Sequence, residues 1–352
     1  MRGDNIQQTS IVMFLFLFPL TPDPSPKGRG ECLLFVVFVE TPLSALTIVC
    51  DTSSKNILRV AGVSTNLGKI ALQCLLMHFA DALTSHIAKT SPVCVGLDPQ
   101  LSKLPEGISK DTKGVLEFNK GIIDAVKDIA SCVKPQLAFY ELLGWEGMKV
   151  FWETCTYAKE KGLIVIADGK RNDIGSTCEA YADAYLSSDS PVDALTVTPY
   201  LGSDGILPFA ERCKKNGKGI YVLVKTSNPS SGELQDLPVG DEVVHEHIAQ
   251  LVEAIAVQDL GHATKLSAIG AVVGATYPEE MKYLRTLMPH VPFLIPGYGA
   301  QGGTAADVKH GFLPDGTGAI VNNSWGIIYA SGGRDWQKAV EIATKEMAEA
   351  LA

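Results

Sequence analysis

The chain alternates short apolar runs with amphipathic segments from Met77 to its last residue. In four segments the charges fall on one side of a helical period, which predicts helices over 113–130, 145–161, 241–260 and 334–350. The runs are rich in β-branched residues and predict strands at 93–98, 132–139, 163–170, 194–199, 219–226, 268–276, 293–300 and 318–324. Eight strands alternating with helices predict an α/β fold, the (β/α)8 or TIM barrel. The alternative is an open doubly wound sheet, which more often has fewer strands.

Residues 1–76 differ in character from the rest of the chain. Two apolar runs, 11–20 and 32–39, flank the polar segment 21–31, and neither run reaches the roughly 20 residues needed to span a bilayer. We interpret 1–76 as a non-catalytic N-terminal extension, either disordered or an overlong start ahead of Met77. A peripheral membrane anchor is the alternative. The barrel domain then occupies 77–352.

Composition and charge narrow the class of partner. The formal net charge is −9 and the pI is about 5.3, so no general attraction to nucleic acid or to an anionic membrane is expected. Eight cysteines without a C-x-x-C pair indicate reduced thiols in a cytoplasm rather than a zinc cluster or a disulfide scaffold. His245 and His247 stand two positions apart on a predicted helix and do not face one way, so we expect a solvated helix face and no metal.

Polar residues gather at the carboxyl ends of the predicted strands, the end of a barrel where enzymes place their chemistry. They are Asp98, Lys134, Gln136, Asp168, Lys170, Asp173, Thr198, Lys225, Ser227, Thr276, Gln301 and Asn323.

The densest group is "ADGKRND", at the end of the third predicted strand. Strand alternation sends Asp168 and Lys170 to the same side, and with Lys134 and Asp173 they could form an alternating array of charges. An ammonium fixed in this way can stabilise a developing carbanion and then protonate it, while Asp168 would destabilise a carboxylate pressed against it. A set of strand-end salt bridges without catalytic function is the alternative.

Two loops complete the candidate site. "GYGAQG", 297–302, fits the glycine pattern of dinucleotide-binding folds, but it stands on the seventh unit and lacks a strand-ending acid. Glycine-rich backbone after the seventh strand of a barrel is a frequent phosphate site, where unpaired N–H groups meet the ligand. The long polar loop 225–236 is suited to closing over a ligand, although a passive surface loop would have the same composition.

Six motifs, in their order and spacing, resemble the orotidine 5′-phosphate decarboxylase family, most closely its longer bacterial branch. They are "VGLDP", "KPQLAFYE", "DGKRNDIGST", "KTSNPSSGELQD", "PGYGAQGG" and "VNNSWGII". The resemblance covers Met77 to the C-terminus and none of the first 76 residues. It implies loss of CO2 from orotidine 5′-monophosphate to give uridine 5′-monophosphate, the last step of de novo pyrimidine synthesis, without metal or organic cofactor.

The resemblance also implies catalytic roles. Lys170 would protonate C6 of the pyrimidine, Asp168 would crowd the departing carboxylate, and Lys134 would bind the ribose and orient Asp168. Asp173 and Thr177 would act in the neighbouring subunit's site, so a homodimer is expected.

Binding residues follow from the same motifs. Asp98 would bind the ribose and Ser227 would face the base. The phosphate loop would consist of Gln301, Gly302 and Gly303.

One position departs from the family pattern, because Trp325 stands where members usually carry an arginine that binds the phosphate. Arg334, shortly downstream, could supply that cation instead. Two other functions stay open from the sequence. One is a metal-dependent sugar-phosphate decarboxylase or synthase on the same scaffold, and the other is a non-catalytic phosphoribosyl-binding protein.

Overall fold

The computed structural model describes residues 77–299 and 301–352, together with four short strands that precede them. Contacts divide the chain into two units, Met1–Leu75 and Leu76–Ala352. In the first unit the four strands form an antiparallel sheet in the order β1-β2-β3-β4. These strands are β1 (Leu15–Pro19), β2 (Leu33–Val37), β3 (Leu46–Cys50) and β4 (Arg59–Val60). The predicted extension 1–76 otherwise lies outside the described residues, so the predicted domain boundary stays a prediction.

Eight parallel strands of the second unit close into a barrel. They are β5 (Val93–Leu97), β6 (Cys132–Pro135), β7 (Ile164–Arg171), β8 (Ala194–Val197), β9 (Gly219–Lys225), β12 (Ile269–Val273), β13 (Phe293–Ile295) and β14 (Ala319–Asn323). The last strand pairs with the first, with Val321 opposite Val93, which closes the ring. Each strand lies within one predicted run or extends it by one residue, so the predicted (β/α)8 barrel is confirmed.

Helices follow the strands along the chain, and all four predicted helices are present. The longer helices are α1 (Phe79–Ile87), α2 (Thr112–Val126), α4 (Gly144–Glu160), α5 (Gly175–Leu186), α6 (Leu207–Asn216), α8 (Val244–Ala256), α9 (Pro278–Leu287) and α12 (Trp336–Leu351). Short α-helices lie in the connections, namely α3 (Leu137–Glu141), α7 (Gly232–Gln235), α10 (Ala305–Val308) and α11 (Trp325–Ile328). A small hairpin, β10 (Pro238–Val239) with β11 (Glu242–Val243), precedes α8.

Helix α2 shows how the sequence fixes these elements. The Asp111 side chain accepts a hydrogen bond from the Gly114 backbone N at 2.9 Å and so caps the first turn. Phe118, on the apolar face, is fully buried, and its ring packs against Tyr329 at 5.8 Å and Trp336 at 5.0 Å between ring centroids. This contact joins α2 to the elements that follow β14 and completes the helical layer where the barrel closes.

One of the two predicted solvated histidines is buried. His245 is 5% exposed, and its Nδ1 lies 2.9 Å from the Gln235 carbonyl oxygen and 3.1 Å from Asp236 Oδ1. The prediction is wrong for His245 because the loop that ends at Asp236 folds back onto the first turn of α8. The side chain of His247 is 69% exposed, as expected.

The described cysteines are buried free thiols, namely Cys94, Cys132, Cys155, Cys178 and Cys213. Over the described part of the chain, the helices are all too short or too polar to cross a membrane. Within the same residues, no group of three or more His, Cys, Asp or Glu side chains could hold a metal ion.

Candidate active site

A cavity of about 830 Å³ opens at the carboxyl ends of the barrel strands. Its walls contain many of the polar residues predicted for this end of the fold: Asp98, Lys134, Gln136, Asp168, Lys170, Ser227, Gln301 and Asn323. Thr196, Gln235, Asn322, Ser324 and Trp325 also line it. The strand ends therefore converge on one site.

Asp168 stands at the centre of a buried charge cluster. Its Oδ2 accepts hydrogen bonds from Lys134 Nζ at 2.8 Å and from Gln136 Nε2 at 2.9 Å. Its Oδ1 accepts from Lys170 Nζ at 2.6 Å and from Thr196 Oγ1 at 2.9 Å. Asp168 as a whole is 6% exposed, and four donors hold its carboxylate in one orientation.

The protonation states of this cluster follow from its charges. Burial alone raises the pKa of Asp168, but Lys134 and Lys170 outweigh it and hold that pKa well below its usual value. Burial alone lowers the pKa of Lys134, and the neighbouring carboxylates of Asp168 and Asp98 reverse this and raise it. Asp168 and Lys134 are therefore both charged at neutral pH.

Lys170 reaches this cluster from an unusual backbone conformation. Its φ of 47° lies in the left-handed region, which residues other than glycine rarely adopt. The strand pairing between β7 and β8 shifts register between Ala167 and Arg171, so the chain bulges at Lys170. The Lys170 side chain is 45% exposed and lines the cavity, which leaves its ammonium accessible to a ligand.

Asp173 and Thr177 lie apart from the cavity walls formed by the described residues. Asp173 Oδ1 accepts a hydrogen bond from the Ile174 backbone N at 2.8 Å, on the turn before α5. Thr177 is exposed in the first turn of α5. The chain therefore brings together three members of the predicted array of charges, Lys134, Asp168 and Lys170, without Asp173.

Asp98 directly follows β5, the strand that pairs with the Lys134 strand β6. Its Oδ1 is buried and has no hydrogen-bond partner among the described residues. Burial raises the pKa of Asp98, opposed by the charge of Lys134. An unsatisfied carboxylate oxygen in a cavity wall suits a ligand that donates a hydrogen bond, such as a sugar hydroxyl.

The glycine-rich loop after β13 folds into a tight turn. A Cβ at Gly297 would meet Gln301 Oε1 at 3.2 Å and the Ser227 Cβ at 3.3 Å, so Ser227 and Gln301 flank the same point of the cavity. The Gly302 N donates to the Gly299 carbonyl at 2.9 Å, and the Gly303 N donates to the Gly297 carbonyl at 3.1 Å. Both amides are paired within the turn, so the expected unpaired N–H donors are not found at these two glycines. Their part in phosphate binding stays a prediction.

Residues 91–329 match the model of the orotidine 5′-phosphate decarboxylase / HUMPS family. The orotidine 5′-phosphate decarboxylase of Rhodopirellula baltica is 46% identical over 78% of this chain and 99% of its own length. The enzyme of that name from Clostridium perfringens is 41% identical over 76% of this chain and 94% of its own length. The structure of the Leishmania donovani OMP decarboxylase superposes with a TM-score of 0.64 at 32% identity, over 78% of this chain and 97% of that one.

The chain belongs to the orotidine 5′-phosphate decarboxylase family. The family implied by the sequence motifs is thereby confirmed, and with it a decarboxylase active on orotidine 5′-monophosphate. The relatives named here favour this activity over a metal-dependent synthase on the same scaffold.

In this member of the decarboxylase family, Trp325 begins α11 on the cavity wall and is 44% exposed. Lys103 Nζ lies 3.5 Å from the centroid of its ring, within range of a cation–π interaction. Arg334 is exposed and lies apart from the described cavity walls. The cation beside the Trp325 ring is therefore Lys103, and a part for Arg334 in phosphate binding stays a prediction.

Sequence reasoning missed Thr196 and selected Thr198 instead. Thr196 faces the cavity from within β8, whereas Thr198 follows the strand and its backbone N donates to the Arg171 carbonyl at 3.1 Å. Period-two alternation along "ALTV" could have identified Thr196 as a residue facing the barrel interior. No local pattern could have identified Lys103, because it lies in the connection after β5 and contacts Trp325, far along the chain, only in the folded structure.

Proposed function

We propose that the cavity at the carboxyl ends of the barrel strands decarboxylates orotidine 5′-monophosphate to uridine 5′-monophosphate and CO2. The observation that carries this proposal is the placement of Asp168 between Lys134 and Lys170, with the Lys170 side chain on the cavity surface. This arrangement offers one fixed negative charge and one accessible proton donor at the same point. The reaction is the last step of de novo pyrimidine synthesis.

The two central residues divide the chemistry. Asp168 is ionised, so the substrate carboxylate beside it is repelled, and loss of CO2 relieves that repulsion. Cleavage of the carbon–carbon bond leaves its electron pair on C6, where the Lys170 ammonium stabilises the developing charge. Lys170 then donates its proton to C6, and the neutral amine regains a proton from water.

Binding groups surround this pair. Asp98 accepts a hydrogen bond from a ribose hydroxyl through its unpartnered Oδ1, and Lys134 contacts the ribose while it orients Asp168. Ser227 faces the base. Gln301 offers its side chain to the phosphate, within the turn formed with Gly302 and Gly303.

The proposed mechanism needs neither a metal nor an organic cofactor, because Lys170 supplies both the charge stabilisation and the proton. The chain acts in the cytoplasm, as the free thiols of its described cysteines suggest. Turnover of orotidine 5′-monophosphate, followed by the absorbance change of the pyrimidine, tests this function. Full activity in EDTA is expected. An EDTA-sensitive rate restored by a divalent metal would favour the metal-dependent alternative, and binding without turnover would favour the non-catalytic one.

We further propose a homodimer in which Asp173 and Thr177 complete the site of the partner subunit. Large apolar side chains are exposed around the ends of β6, β7 and β8, where a partner could cover them: Leu142, Trp145, Ile174, Tyr200 and Leu201. The Asp173 carbonyl and Leu201 are neighbours, since a Cβ on Gly205 would lie 3.3 Å from both. A partner that buries Leu201 therefore also approaches Asp173.

Subunit mixing tests this shared site. The variants Lys170→Ala and Asp173→Ala should each be inactive alone. Mixed and allowed to exchange, they should recover about a quarter of the wild-type activity, since about half of the dimers become hybrids and each hybrid has one intact site of two. No recovery after verified exchange would place Asp173 in the site of its own subunit.

A further inference from the structure

Thr196 is hydrogen-bonded to Asp168 and to Lys170, the two central residues of the proposed mechanism. It is the third residue of β8, it is 1% exposed, and it lies in the cavity wall. Its Oγ1 lies 2.9 Å from Asp168 Oδ1 and 2.9 Å from the Lys170 backbone N. We propose that Thr196 is a positioning residue, which sets the relative orientation of the Asp168 carboxylate and the Lys170 ammonium through one hydroxyl group.

The hydrogen-bond roles at this hydroxyl are fixed by its partners. The Lys170 backbone N–H can only donate, so the Thr196 oxygen accepts from it. The ionised Asp168 carboxylate can only accept, so the Thr196 proton points to Asp168. The hydroxyl therefore has one orientation, and that orientation ties the backbone of Lys170 to the side chain of Asp168.

The backbone of Lys170 needs such a tie. Its left-handed φ of 47° is unfavourable for a lysine and persists only where the surroundings hold it. The register shift between Ala167 and Arg171 takes this part of β7 out of the regular ladder with β8. The Thr196 hydroxyl thus accepts the hydrogen bond that a backbone carbonyl of β8 would accept in a regular sheet. Without this hydroxyl, the Lys170 N–H loses its acceptor.

Loss of the hydroxyl should therefore affect chemistry more than binding. Lys170 and Asp168 would still be present and charged, but their mutual geometry would relax. A misplacement of about 1 Å at a reacting group can cost on the order of 100-fold in rate. Contacts to the nucleotide from Asp98, Ser227 and Gln301 lie elsewhere in the cavity and would remain.

This inference rests on the proposed role of Lys170, and Thr196→Val tests it by removing the hydroxyl at nearly constant shape. We expect kcat to fall roughly 10- to 100-fold while Kd for uridine 5′-monophosphate stays within about threefold of wild type. Thr196→Ser, which keeps the hydroxyl, should retain kcat within about fivefold. Thr198→Val is the matched control, two positions further along, and should leave kcat unchanged. If Thr196→Val does not fold, Thr196→Ala serves in the same comparison with serine.

A second measurement reports on Lys170 itself. The reverse of the protonation step exchanges the C6 hydrogen of uridine 5′-monophosphate for deuterium in D2O, and Thr196→Val should slow this exchange as much as it slows kcat. A valine variant with wild-type kcat, a serine variant as slow as valine, or equal losses in kcat and nucleotide binding would each overturn the inference. Absence of turnover in the wild-type chain would instead refute the proposed function.

Discussion

Replacing Lys134 with methionine removes the buried cation beside Asp168. Lys134 is 5% exposed, and its Nζ lies 2.8 Å from Asp168 Oδ2. Removing one partner of a buried ion pair costs about 3–5 kcal/mol, because the other charge stays buried without compensation. Asp168 keeps Lys170 and two neutral donors in the variant. We therefore expect Lys134→Met to lower the free energy of unfolding at pH 7 by about 3 kcal/mol, the lower end of that range.

The pH dependence of this loss follows from two pKa shifts. The pKa of Asp168 is lowered in the folded chain, so its contribution is present above its unfolded pKa of about 3.9 and is lost as the pH falls. The pKa of Lys134 is raised, so its contribution is present below its unfolded pKa of about 10.4 and is lost as the pH rises through the folded value. The difference between wild type and Lys134→Met should be constant from about pH 5 to pH 9 and should shrink on both sides.

Urea unfolding at pH 7 and at pH 3 measures this difference, with an unchanged slope confirming comparable unfolding. Lys127→Met is the matched control, because Lys127 pairs with Asp128 at the surface, where the Asp128 side chain is 84% exposed. An exposed pair contributes about 0–1 kcal/mol, so Lys127→Met should leave the free energy of unfolding nearly unchanged. A Lys134→Met variant as stable as this control, or a loss that does not shrink in acid, would refute the buried charge cluster.

Two further predictions concern Trp325 and the N-terminal residues. Trp325→Arg should raise kcat/KM for orotidine 5′-monophosphate about tenfold by lowering KM, since a charge-assisted hydrogen bond contributes about 1.5–3 kcal/mol and the new cation must share its surroundings with Lys103. In the double variant with Lys103→Met, kcat/KM should rise further, because the new arginine no longer has a second cation beside it. An unchanged KM in both variants would mean that position 325 does not face the phosphate. A chain that starts at Met77 should keep full activity and the oligomeric state of the whole chain, because all eight barrel strands follow that residue. Aggregation or lost turnover of that shorter chain would show that residues 1–76 support the barrel.

The barrel and its charge cluster could be predicted from local patterns alone. Each buried strand carries its own apolar run, and parallel strands of a barrel present their carboxyl ends to one side. Residues from distant parts of the chain, such as Asp98 and Gln301, therefore meet in one cavity. The pairing of Asp168 with Lys170 followed from side-chain alternation, although the backbone reaches it through a left-handed residue that alternation does not foresee.

Other features depend on contacts between segments that no local pattern encodes. His245 is buried because the loop ending at Asp236 returns to it, and Lys103 meets Trp325 only when the loop after β5 folds beside α11. The amides of Gly302 and Gly303 are used by their own turn, a pairing that a glycine pattern does not predict. Local patterns therefore predict which strands face the site, whereas the contacts by which loops complete it form only in the folded chain.

The central claim is that the Lys170 ammonium, held by Asp168, performs the proton transfer of the decarboxylation. Its most direct test is turnover of orotidine 5′-monophosphate by wild type and Lys170→Ala, with the Kd for uridine 5′-monophosphate measured in both. We expect turnover only in wild type, with the variant's Kd within about one order of magnitude, because Lys170 acts on charge that appears in the transition state. A Lys170→Ala variant that retains more than a small fraction of the wild-type kcat would contradict the claim.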